Sequence, residues 1–187
     1  MKRFLDFILS LIAILLFAIP MLIVAVVIKM NSKGPILFKQ QRIGKNGEMF
    51  QIYKFRSMYI ETPNVSTEAL GDPSAYITPV GKFIRKTSLD ELPQLFNILK
   101  GDMSIVGPRP ALYNQYDLIK MRDDVNVNSI RPGLTGYAQI MGRDFISDQE
   151  KVAYDQYYVE NQSLLFDLKI IWNTFFSVIK SEGVKLK

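Results

Sequence analysis

Neither histidine nor cysteine occurs anywhere in the 187 residues. That double absence removes thiol nucleophiles, Ser-His triads, His/Cys zinc sites and structural disulfides. The chain also has no P-loop and no G-x-G-x-x-G fingerprint, so ordinary NTPase and dinucleotide-binding readings fail. Any enzyme chemistry must rest on carboxylates, Lys, Arg, hydroxyls and an oxygen-ligated metal. A third absence is local. No charged residue lies between Phe7 and Ile28. That run is long enough for a membrane helix of about 20 residues. It is too long, and too poor in small-x-small cleavage signals, for a convincing signal peptide.

The flanks of that run are basic. Lys2 and Arg3 precede it; Lys29, Lys33, Lys39, Arg42 and Lys45 follow. Lys/Arg-rich flanks are held in the cytoplasm, so a simple span leaves one flank on the wrong side. Pro20 sits inside the run, where it removes a helical hydrogen bond and favours a kink or break. Two readings fit: a re-entrant helix broken at Pro20, which is favoured, and a straight span with a tolerated proline. Residues 1–60 carry nine Lys/Arg against two Asp/Glu, and the rest carries 14 against 16. Basic charge beside a membrane segment suits anionic lipid headgroups. The same placement argues against nucleic acid as a partner.

The remaining chain reads as α+β, predominantly helical. Asn46-Gly47 accepts the positive φ angles of a type I′ turn and predicts a β-hairpin joining 36–43 to 49–58. Alternation puts Phe50, Ile52, Lys54 and Arg56 on one face of the second strand. The two cations fit either a solvated edge or a phosphate-facing pair. Glu61 to Thr78 reads as a loop. Thr78-Pro79 caps a short helix ending at Arg85-Lys86. Ser88-x-x-Glu91 reads as a capping box for the next helix, with Leu92, Leu95, Phe96 and Leu99 as its apolar stripe and Gly101 as its stop. Ser147-x-x-Glu150 is a second capping box. A last helix, from about Leu164 to Lys180, carries a broad apolar face, which fits either core or the membrane interface.

Asp90 and Glu91 are the first candidates for chemistry. Acidic residues in a first helical turn complement the dipole and suffice as structure. The same environment keeps a carboxylate ionised as a nucleophile or a metal ligand. Lys54, Arg85, Arg109, Arg131 and Arg143 lie in or beside rigid elements, and arginine forks bind phosphate bidentately. From the residues alone this is a membrane-associated protein with an anionic-substrate site.

Several motifs in fixed order resemble the bacterial sugar transferases, the monotopic phosphoglycosyl transferases. They are the basic-flanked apolar helix with its proline, Tyr53-Lys54-Phe55-Arg56-Ser57-Met58, Ser88-Leu89-Asp90-Glu91-Leu92-Pro93-Gln94-Leu95 and Gly101-Asp102-Met103-Ser104. Gly107-Pro108-Arg109-Pro110, Arg131-Pro132-Gly133-Leu134-Thr135-Gly136, Gly142-Arg143 and Tyr154-Asp155 follow. The resemblance implies ping-pong transfer of a sugar-1-phosphate from a UDP-sugar to undecaprenyl phosphate, releasing UMP, as the first membrane step of surface glycan (polysaccharide or capsule) assembly. It implies Asp90 as the covalent nucleophile and Glu91 as the Mg²⁺ ligand. Lys54, Arg85, Arg109 and Arg143 match the phosphate-site cations, and Asp155 a further active-site acid. Arg131 stays outside that set.

The resemblance also implies a re-entrant membrane helix over 1–30 and a cytoplasmic catalytic domain over 31–187, resting on the bacterial inner membrane with amphipathic interfacial helices. Its partners are membrane lipids and, in some arrangements, a second copy or downstream glycosyltransferases. One departure is Ile19 before Pro20, where the family often has Ser. The extra N-terminal helices and accessory domain of larger members are not expected in this chain. The competing readings are a non-catalytic membrane scaffold and a phosphatase acting on nucleotide sugars or polyprenyl phosphates.

Overall fold

A computed structural model describes residues 1–63, 72–142 and 145–180. The apolar run forms one helix, α1 (Lys2–Asn31), and Pro20 lies inside it without interrupting it. This differs from the expected break. Proline costs the helix the bond from its own missing N–H, while the turns on either side keep theirs. Tertiary bonds also tie both ends of α1 down. Arg3 donates to the carbonyls of Ile98 and Leu99 near the start. At the far end, Arg56 donates to the carbonyls of Lys33 and Ser32 and to the Ser32 hydroxyl. One side of α1 is core, with Met21, Val24 and Ile28 packed on Phe55 and Ile84. The opposite side, including Leu15, Leu16, Ile19 and Leu22, is exposed. By length and composition α1 could cross a membrane.

Strands β1 (Leu37–Ile43) and β2 (Met49–Phe55) pair antiparallel, with Ile43 opposite Met49. Asn46 (φ 56°) and Gly47 (φ 79°) take the left-handed angles expected at the turn, closed by Glu48 N–H donating to the Lys45 carbonyl at 3.2 Å. Helix α2 (Pro79–Lys86) is capped by Thr78, whose hydroxyl accepts from Gly81 N–H. Part of the expected loop, residues 64–71, lies outside the described residues.

The capping box expected at Ser88-x-x-Glu91 is absent. Ser88 is left-handed (φ 56°), makes no capping bond and closes α2 through its N–H on the Arg85 carbonyl. Leu89–Glu91 is a 3₁₀ turn, and the α-helix α3 starts only at Gln94 and runs to Lys100. Two causes act together. Pro93 would clash with the preceding turn inside an α-helix and is accepted at its start. The Glu91 carboxylate, which a capping box would turn back to Ser88, is taken by Lys54 and Arg109. The stripe shifts accordingly: Leu95 and Ile98 are buried, while Phe96 is exposed. Gly101 ends α3 as expected, at φ 101°.

Strands β3 (Ser104–Val106) and β4 (Gly133–Thr135) pair parallel. The glycines of both motifs meet there. A Cβ on Gly133 would fall 2.1 Å from the Gly107 nitrogen, so only glycine lets the two chains approach. Between the strands runs α4 (Tyr116–Asp124), and after them α5 (Tyr137–Met141), α6 (Asp148–Glu160) and α7 (Leu164–Lys180). The Ser147/Glu150 capping box on α6 is present in both directions. Of the two readings of α7, the outward one holds for Leu165, Leu168, Trp172 (65% exposed) and Phe175, while Ile170 is fully buried. Asp6 of α1 accepts from the Ser104 hydroxyl and the Ile105 N–H, which docks the helix onto β3.

Candidate active site

Asn97 brings the site's two halves together. Buried on α3, it accepts from Tyr53 N–H at 3.0 Å and donates to the Gln51 carbonyl at 2.7 Å. This stitches α3 to the backbone of β2 and places Lys54, one residue after Tyr53, beside the 3₁₀ turn carrying Asp90 and Glu91. Lys54 Nζ donates to Glu91 Oε1 at 2.8 Å, and Arg109 Nη2 donates to the same oxygen at 3.0 Å. Glu91 and Lys54 are largely covered, whereas the Arg109 side chain is 42% exposed. The site therefore opens on its Arg109 side.

The two adjacent carboxyls are driven apart. Burial alone would raise Glu91, but the charges of Lys54 and then Arg109, with their hydrogen bonds, hold it well below the usual carboxylate range. Burial and then the Glu91 charge push Asp90 up to about 6, against the pull of Lys54, Arg85 and Arg109. Burial lowers Lys54 despite the opposing pull of Glu91. The helix-dipole argument for these acids falls away, because a 3₁₀ turn and not an α-helix begins here. The lysine and arginines take its place.

Asp90, Glu91, Lys54, Arg85 and Arg109 thus share one site. Arg143 lies outside the described residues. Arg56, just past the end of β2, is buried and spent on the end of α1. Asp155 is not at the opening. It is buried on α6 and accepts from Arg122 Nη2 at 2.6 Å, so its carboxylate is engaged by a guanidinium and does not join the Glu91 contacts of Lys54 and Arg109. Its helix packs against α4, and burial of that face is why the carboxylate meets a guanidinium rather than solvent. Arg131 donates to the Gly101 carbonyl, away from Glu91.

Sequence reasoning missed Arg42, Asn97 and Arg122. Burial and the nearby Arg109 charge lower Arg42 to about 9, against the pull of Glu91. Among the described residues no three acids gather as a metal cage. Both cation bonds to Glu91 fall on Oε1, and Oε2 accepts neither. Mg²⁺ uses one or two protein carboxylates and takes its remaining ligands from phosphate and water. Glu91 Oε2, with Asp90 beside it, fits that hard-oxygen demand.

The bacterial sugar transferase family model matches residues 1–181. The chain belongs to the bacterial sugar transferase family. It is 40% identical over 190 residues to the UDP-N-acetylgalactosamine-undecaprenyl-phosphate N-acetylgalactosaminephosphotransferase of Aeromonas hydrophila, covering 98% of this chain and 45% of that protein. It is 40% identical over 199 residues to the undecaprenyl-phosphate galactose phosphotransferase of Salmonella typhimurium, covering 98% and 41%. It is 38% identical over 185 residues to the uncharacterized sugar transferase EpsL of Bacillus subtilis, covering 99% and 90%. The chain therefore spans less than half of the first two sugar transferases and nine-tenths of the third.

Proposed function

We propose that this chain transfers a sugar-1-phosphate from a UDP-sugar to undecaprenyl phosphate and releases UMP, at the cytoplasmic face of the bacterial inner membrane. The observation that carries the reading is a buried aspartate beside a glutamate whose charge is already met by Lys54 and Arg109. One carboxylate is held as a fixed counter-ion and its neighbour is left for chemistry. The names of the relatives supply the substrate class.

In the first half-reaction an Asp90 oxygen attacks the sugar-bearing phosphorus. The bond from that phosphorus to the bridging oxygen breaks, and UMP leaves with the electron pair. In the second, a phosphate oxygen of undecaprenyl phosphate attacks the same phosphorus, and the bond to Asp90 breaks, restoring the free carboxylate. Lys54, Arg85 and Arg109 offset the charge on the phosphoryl oxygens, where fixed cations act most strongly. Glu91 Oε2 would hold Mg²⁺, which supplies further positive charge at the pyrophosphate when bound. Both ends of α1 are fastened to the catalytic domain, which supports placing both basic flanks on one membrane face.

The test is UMP release from a panel of UDP-sugars, with and without undecaprenyl phosphate. Omitting the acceptor should give a single burst of UMP and sugar label covalently on the protein, absent in Asp90→Asn. UMP formed without lipid-linked product would indicate a phosphatase. No UMP with any donor would indicate a scaffold.

A further inference from the structure

The loop Gly107-Pro108-Arg109-Pro110 has no N–H at two of its four positions, so its fixation depends on its carbonyls. Four successive carbonyls are met. Pro108 accepts from Gly133 N–H at 2.8 Å, and Ala111 from Ile43 N–H at 3.0 Å. Between them, Arg109 accepts from Arg122 Nη1 at 2.8 Å and Pro110 from Arg42 Nη1 at 3.0 Å. Two covered guanidiniums from separate elements thus hold the backbone of one functional arginine. Arg122 in turn is fastened by Asp155, with side chains 4% and 1% exposed.

We propose that Asp155 and Arg122 are positioning residues for Arg109, and that Asp155 touches neither substrate nor metal. The inference rests on the proposed function for what Arg109 does. The chain of bonds runs Asp155 to Arg122, Arg122 to the Arg109 carbonyl, and Arg109 Nη2 to Glu91 Oε1. The Arg109 side chain is long and partly exposed, so its own packing limits it little. Backbone fixation is what brings its fork to the 3.0 Å contact. A displacement of about 1 Å in such a group costs on the order of 10²-fold in rate. Asp155→Asn keeps the side-chain size and removes the charge that fixes the Arg122 fork. Any looseness passes to the Arg109 carbonyl.

The experiment is a double-mutant cycle of Asp155→Asn and Arg109→Ala in the full chain, purified in nanodiscs. Asp155→Asn alone should lower kcat/KM by 10–100-fold, with most of the loss in kcat. In the Arg109→Ala background the same change should cost under 3-fold, because the residue it positions is gone. Hydrogen exchange over 107–112 should rise in Asp155→Asn while α3 and β2 keep their protection. An equal loss in both backgrounds would overturn the proposal, since it would mean that Asp155 acts on the substrate or on folding by itself. A folded Asp155→Asn with wild-type kcat/KM and unchanged exchange over 107–112 would overturn it too. A wild type that releases no UMP would strike the proposed function instead, and the exchange measurement then decides the positioning claim.

Discussion

Asp90→Asn should abolish transfer and stabilise the protein, and the stabilisation should depend on pH. The folded Asp90 carboxyl is raised from 3.8 to about 6, first by burial and then by the Glu91 charge. A folded value above the unfolded one means that the folded protein holds this proton more tightly. Stability from the group is present below about pH 4 and is lost as pH rises through 6. At about 1.4 kcal/mol per pH unit, the ionised group costs the wild type about 3 kcal/mol at pH 7.5. Asparagine has the same shape and no charge, so the variant escapes that cost.

Thermal unfolding in nanodiscs reads the effect directly. For a domain of this size about 3 kcal/mol corresponds to about 6–12 °C in Tm. The gap between variant and wild type should be largest above pH 7 and close towards pH 4. In the wild type, the transfer rate should rise with pH through an acid limb near 6, because only the ionised carboxylate attacks. A variant no more stable than wild type at pH 7.5, or a gap unchanged with pH, would refute the electrostatic account. Substantial transfer by the variant would refute the nucleophile.

Glu91→Gln should shift stability the other way, by about 3 kcal/mol of loss at neutral pH, because it leaves the buried Lys54 without its counter-ion; Tm in the same nanodiscs checks the sign. Chelation with EDTA should stop UMP release and added Mg²⁺ restore it, and full activity after dialysis against chelator would remove the metal from the reaction. Single cysteines at Lys2 and Lys33, in this cysteine-free chain, should both resist a membrane-impermeant thiol reagent in intact spheroplasts. Labelling of one alone would establish a straight span.

The elements that local chemistry dictates were legible in the sequence. Asn46-Gly47 wrote its own turn, Thr78-Pro79 its own cap, Gly101 its own stop and Ser147-x-x-Glu150 its own box, each needing only neighbours a few residues away. The failures share a cause. Ser88-x-x-Glu91 has the spacing of a capping box, but Lys54, 37 residues upstream, offers Glu91 a charge-assisted bond that a backbone N–H cannot match. Arg122 sits in the polar run Lys120-Met121-Arg122-Asp123-Asp124 and reads as part of a solvated face. Its burial follows from the packing of α4 on α6, which no local pattern encodes. Asp155 was found by its motif but its burial against Arg122 was not, because a motif carries identity and order but not which side of a helix is covered.

The same limit explains why spacing and composition alone did not separate the two central carboxylates, whose different roles only the family resemblance implied. Asp90 and Glu91 are neighbours with nearly equal intrinsic acidity. Their environments diverge because β2 and the Gly107-Pro108-Arg109-Pro110 loop both deliver cations to one oxygen, Glu91 Oε1. Glu91 is thereby fixed as an anion, and its charge becomes the second cause, after burial, that raises Asp90. The cations therefore act on Asp90 in two opposed ways: they attract its charge directly, and they hold beside it the anion that repels it. With burial added, the balance leaves a carboxyl raised to about 6, largely ionised at neutral pH. An aspartate stabilised as strongly as Glu91 would be a poorer nucleophile, since each contact that stabilises the free anion must be given up or weakened as it attacks.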